Sequence, residues 1–198
     1  MITVGSGELS ANGRSMRLNY TLAIGVRPVL AREFKAFVEA SGYNMRGVAY
    51  AWSDVGWQKL DDAWVKLSPS ADDPVRCVSW DDARAYLKWL NAKLGLNEAA
   101  GYRLPSETEW EFAQGSGAIP ARDGLWEWCE DLWHPSRDLA PVDGSAWTLG
   151  GLAGVHVNKG GGHIFEPGAV RRADRNGNAA NMRSSVIGFR VARTMVTN

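Results

Sequence analysis

The sequence predicts a loop-rich α+β fold, organised as one domain over residues 1–198, and three observations carry that expectation. Two stretches of helical period, near residues 30–40 and 80–94, carry recognisable start and stop signals, and a shorter third opens at Ser106. Glycine (22) and tryptophan (10) are both abundant in 198 residues, a mixture suited to irregular backbone held by large aromatic anchors. The two ends of the chain read as strands and can pair in one small sheet, so helices and sheet share a single core.

Residues 1–29 alternate apolar and polar side chains in pieces such as RLNYTLAIGV, the pattern of one or two strands. From Leu30 to Ala40, LAREFKAFVEA puts Leu30, Phe34, Phe37 and Val38 on one helical face, and Gly42 ends the helix. Residues 43–76 hold no sustained period, carry Trp52, Trp57 and Trp64, and are expected to form a long loop pinned by these rings. In VSWDDARAYLKWLNAKLG, Ser79 and Asp82 make a capping box, Ala83, Tyr86, Leu87, Leu90 and Leu94 form the apolar stripe, and Gly95 terminates. Ser106 and Glu109 repeat the box in SETEWEFA, behind Pro105. Beyond Gly115 the short apolar pieces LWEW, VHV and IGFRVA read as strands between long loops.

Charge and motif content exclude several function classes. With 22 basic and 22 acidic residues the net charge is zero, so no global field draws the chain to nucleic acid or to an anionic membrane. The N-terminus lacks a basic region followed by an apolar run, which predicts no signal peptide, no membrane insertion, and a cytoplasmic or virion-associated protein. Gly160 to Gly162 lack the spacing and the Lys-Ser/Thr pair of a phosphate loop, and read as a tight backbone approach. The three histidines, His134, His156 and His163, have no helical metal-ligand spacing. In WEWCEDLWH a strand places Trp126, Trp128 and Glu130 on one side and Glu127, Cys129 and Asp131 on the other, which favours packing and an arginine ion pair over a metal site. Cys77 and Cys129 are expected to be reduced, structural thiols. Arg103, Arg171, Arg172, Arg175, Arg183 and Arg190 are expected to be architectural, satisfying carbonyls and carboxylates.

The ordered set PVRCVSWDDARAYLKWLNAKLG, YRLPSETEWEFA, LWEWCEDLWHPS, KGGGHIF, RRADRN and IGFRVAR resembles the formylglycine-generating enzyme (sulfatase-modifying factor) superfamily. The resemblance runs from about Leu22 to Arg193 and implies a variant of the C-type lectin fold, with two main helices and a small antiparallel sheet. That superfamily holds copper oxidases, iron-dependent sulfoxide synthases and non-catalytic binding proteins, so the fold leaves the chemistry open. The resemblance puts the oxidases' two copper-binding cysteines at Phe165 and Val170, which cannot ligate a soft metal. No catalytic residue and no cofactor is therefore expected. A calcium ion at Asp123 or Glu127 is a minor alternative, because Gly124 stands where the family offers an Asn.

What remains resembles the variable proteins of diversity-generating retroelements, which display a mutable C-terminal surface between a GGSW-like motif and a terminal IGFR. The corresponding interval here is HIFEPGAVRRADRNGNAANMRSSV, with His163 where the family usually has Trp. Arg172, Ala173, Arg175 and Arg183 look like framework. The implied ligand-binding set is His163, Ile164, Phe165, Glu166, Gly168, Ala169, Asn176, Asn178, Met182, Ser184, Ser185 and Val186; Gly177 has the same arbitrary character. The implied partner is a macromolecule, protein or glycan, in a phage or bacterial setting. The alternative is an oxidoreductase of the same superfamily with a non-standard active site, using Cys129 or His163.

Overall fold

A computed structural model describes residues 1–198 except 12, 13, 46, 54, 69, 98, 121–123, 162–174 and 196–198. In chain order the elements are β1 (Ile2–Val4), β2 (Gly7–Ala11), β3 (Arg14–Leu18), β4 (Thr21–Ile24), α1 (Ala31–Ser41), β5 (Ala49–Ser53), β6 (Gly56–Leu60), α2 (Ala63–Lys66), α3 (Trp80–Leu94), α4 (Glu107–Gly115), β7 (Trp126–Trp133), β8 (Leu152–Gly160), β9 (Arg175–Ala179), β10 (Arg183–Ser184), β11 (Ile187–Gly188) and β12 (Ala192–Met195). The chain ends share one small sheet without pairing to each other: β4 lies between β1 and β12 and is antiparallel to both. The remaining sheets are the β2–β3 hairpin, β10-β5-β6, and the four-stranded β11-β7-β8-β9. Two pairings, β10 with β5 and β11 with β7, are parallel, because the C-terminal segment runs alongside strands far back in the sequence.

The helices begin where their caps dictate. Ser79 Oγ accepts from Asp82 N at 3.1 Å while Asp82 Oδ2 accepts from Ser79 N at 2.8 Å, and Gly95 closes α3 in the left-handed region (φ 65°). Ser106 and Glu109 do the same for α4. At α1 the apolar Leu30 offers no cap oxygen, and only Glu33 reaches back, to Leu30 N at 2.8 Å. Since Ser79 is buried, Ser79→Ala is expected to cost about 1–2 kcal/mol, read as a lower urea midpoint at unchanged m.

β7 divides the core in two. Trp126 and Trp128 join Phe34, Phe37, Tyr86, Leu87 and Phe189 in the larger cluster beneath α1 and α3. Cys129 joins Trp110, Phe112, Val157 and the β4 residues Leu22 and Ile24 in the second, beneath α4. This is the two-sided strand the alternation of WEWCED predicts, with Glu130 pairing to Arg84 of α3 and Asp131 accepting from Glu107 N of α4. Two expectations are corrected. Residues 43–76 contain an antiparallel β5–β6 hairpin and the one-turn α2, and Leu94, counted in the α3 stripe, is half exposed at the helix end. Among the described residues no helix is long and apolar enough to cross a membrane.

Candidate binding surface

The interval expected to be displayed leaves the sheet at the end of β8 and returns on β9. His163, Ile164, Phe165, Glu166, Gly168, Ala169 and Val170, with Arg171 and Arg172, lie outside the described residues, as does Asp123. The base of the interval is fixed tightly. Gly160 has φ 104°, and a Cβ there would meet Leu125 O at 2.7 Å, while Gly161 N donates to Leu125 O at 3.1 Å. Gly160 therefore serves a close backbone approach, the role suggested for the run.

On the returning strand Arg175 lies over the Trp133 ring (4.2 Å to its centroid), donates to Glu107 Oε1 at 3.0 Å and to His134 O at 2.6 Å. Gly177 faces the same ring: a Cβ would stand 2.5 Å from Trp133 Cδ2. Gly177 is thus framework, contrary to its arbitrary look, and Gly177→Ala is expected to cost about 1–3 kcal/mol by thermal melt, since an indole pinned by Arg175 has nowhere to retreat. Asn176 is exposed and Asn178 half-buried on the other face, where Asn178 Nδ2 donates to Asn158 Oδ1 at 2.5 Å. Met182 is half-buried in the turn that follows.

Ser184, Ser185 and Val186 are not displayed. They are buried (1%, 4% and 5% exposed) because the chain threads between β5 and β7. Ser185 N donates to Tyr50 O at 2.8 Å and its Oγ accepts from Trp52 N at 3.1 Å, while Val186 O accepts from Trp126 N at 2.8 Å. What these residues hold up is a surface that sequence reasoning missed: Tyr50, Trp52 and Trp57 stand exposed on the β5–β6 hairpin, with the two indoles edge to face at 5.4 Å. The period-two alternation in AYAWS and GWQKL was the available signal.

The remaining candidate groups are structural. His156 stacks on Trp80 (3.8 Å) and is lowered in pKa chiefly by burial; His134 stacks on Trp147 (3.4 Å) with its ring nitrogens near Leu132 O and Leu149 O. Cys77 and Cys129 are free and wholly buried in separate apolar clusters, and burial pushes the first thiol up to about 12 and the second well above the ordinary range. Glu127 commits its carboxylate to Arg190 and to Trp110 Nε1, so Arg190, beside the Arg84 that pairs with Glu130, meets the expectation of an arginine ion pair on this strand. Arg103 pairs with Glu109 and Arg183 with Asp82.

Asp131 accepts from Glu107 N at 2.7 Å and Trp147 N at 2.9 Å, and burial, the dominant influence, lifts its carboxyl to about 6. The folded state then holds a proton that the unfolded chain has lost from about pH 4 upward, so this contribution is complete below pH 4 and disappears as pH rises through 6. Asp131→Asn is expected to remove a decline on the order of 2–3 kcal/mol between pH 4 and 7, seen as the wild-type minus variant difference in pH-dependent melts.

The sulfatase-modifying factor enzyme 1-like domain model matches residues 2–124 and 121–195. The formylglycine-generating enzyme of Thermomonospora curvata is 31% identical over 152 residues, 63% of this chain and 46% of that protein. The inactive C-alpha-formylglycine-generating enzyme 2 of Mus musculus is 29% identical over 167 residues, 61% of this chain and 50% of that protein. The chain thus spans half or less of these relatives' length. The solved structure of Treponema denticola variable protein 1 superposes with a TM-score of 0.68 at 16% identity, covering 98% of this chain and 94% of that one, which shows a shared fold.

Proposed function

Because the chain belongs to the sulfatase-modifying factor enzyme 1-like family, we propose that it is a non-catalytic member that binds a macromolecular ligand, protein or glycan, through the surface carried by the segment between Gly161 and Met182. The placement of the two thiols carries this reading. A copper oxidase of this family needs a pair of accessible thiolates at one point, and Cys77 and Cys129 are buried in different clusters with their thiol forms favoured. The residues present do not fit that metal. The same burial disfavours Cys129 as a nucleophile in an alternative active site. A relative named inactive and a fold shared with a variable protein support the binding role.

The test has two arms. Purified protein incubated with Cu(I) and desalted is expected to retain far less than one equivalent; stoichiometric copper would overturn the reading. Asn176→Tyr and Met182→Tyr are expected to leave Tm within about 2 °C, as display positions should, while Ser184→Tyr unfolds the domain. DNA beside the gene is expected to hold a reverse transcriptase and a near-copy of this segment differing at adenines; without them the retroelement origin fails while the binding role stands on the first two results.

A further inference from the structure

β6 is the outer strand of its sheet, and its backbone is oriented for strand addition. Ser185 N donates to Tyr50 O and Trp52 N donates to Ser185 Oγ, so the main-chain groups of residues 50 and 52 point away from β6. In a strand these directions alternate, hence Ala49, Ala51 and Ser53 face β6, and their partners Leu60, Gln58 and Gly56 face back. The N–H and C=O groups of Trp57 and Lys59 therefore point outward, on a strand whose residues 57, 58 and 59 are exposed.

We propose that β6 is a homodimerisation edge, pairing antiparallel with β6 of a second copy about a two-fold axis at Gln58. Only registers that set outward-facing residues opposite one another form hydrogen bonds, which leaves axes at residues 57, 58 and 59. An axis at 59 sets Lys59 against its own copy, and an axis at 57 brings only Trp57 against Trp57. The axis at Gln58 pairs Trp57 with Lys59 of the second copy twice, giving four main-chain hydrogen bonds. Trp57 and Lys59 lie on the same face of the strand, so each of these pairs also sets an ammonium beside an indole. Gln58 and Lys59 are both exposed on the outer strand of the order β10-β5-β6. The aromatic face of Tyr50, Trp52 and Trp57 would then run on into its two-fold copy as one continuous face, with burial confined to the paired edge strands.

Sedimentation equilibrium of the full chain from ~1 to ~300 μM reads the association directly. The weight-average mass is expected to rise toward twice the chain mass, and a constant monomer mass across the range would overturn the proposal. Lys59→Pro removes an outward N–H without taking a bond from β5, and Trp57→Lys sets lysines opposite lysines; each is expected to weaken association at least ten-fold with the melt retained. Gln58→Cys places the new thiols at the axis, and oxidised glutathione is expected to convert most of the protein to a covalent dimer, the native thiols being buried. Dimers that neither seam variant weakens, or that the cysteine fails to link, would equally sink this interface.

Discussion

Arg190→Met is expected to destabilise the domain by about 3–5 kcal/mol, enough to leave much of the protein unfolded at 37 °C. The guanidinium is wholly buried and gathers three parts of the chain. It donates to both oxygens of Glu127 on β7, with Nη2 to Oε1 at 2.6 Å, and Nη1 reaches Gly25 O at 2.7 Å between β4 and α1. Glu127 in turn receives Trp110 Nε1 of α4 at 2.7 Å. Removing the cation alone strands a carboxylate in a site 1% exposed and orphans the Gly25 carbonyl, and an unpaired buried charge costs far more than the pair contributes. The double variant Glu127→Leu with Arg190→Met is therefore expected to be more stable than Arg190→Met alone, although Trp110 loses its acceptor. Urea midpoints of the two decide it; a single variant within 1 kcal/mol of wild type would refute a structural role for the pair.

What could be read from the sequence is what local chemistry determines. Ser79 with Asp82, Ser106 with Glu109, Gly42 and Gly95 mark helix ends because the satisfied groups lie within three or four residues of one another. The two-sidedness of β7 was legible because period two is a property of the strand itself. The errors fall where a distant segment decides. Ser184, Ser185 and Val186 look like exchangeable surface residues, and only the parallel pairing of β10 with β5 and β11 with β7, across more than fifty intervening residues, buries them. Gly177 looks permissive, yet its lack of a side chain is required by Trp133, forty-four positions earlier. The same long-range pairing turned Trp52 and Trp57 outward, where a loop pinned by tryptophans was expected.

A second large effect follows from the charge cluster beneath the C-terminal segment. Lys159 on β8 is fully buried, with Nζ 2.8 Å from Glu111 Oε1 and 3.6 Å from Glu107 Oε1. Arg137 donates to both oxygens of Glu111, and Arg175 reaches Glu107. Two α4 carboxylates thus serve three cations; Asp131 adds a third carboxylate that acts on Arg137 and Arg14 a fourth cation, so at pH 7 cations remain in excess by one. Burial alone would raise Glu111, but Lys159 and Arg137 outweigh it and its pKa is lowered. Its stabilisation is then complete above the unfolded carboxylate pKa and is lost as pH falls through the lower folded value. Glu111→Gln is expected to cost about 3–5 kcal/mol at pH 7, because it leaves Lys159 and Arg137 to Glu107 alone. Lys159→Met, which relieves the excess and fills the site with apolar volume, is expected to cost well under half of that. On acidification the Glu111→Gln deficit should shrink as the wild-type carboxylate takes up its proton. Equal losses from the two variants at pH 7 would show that geometry, rather than the balance of charge, holds α4 against β8 and β9.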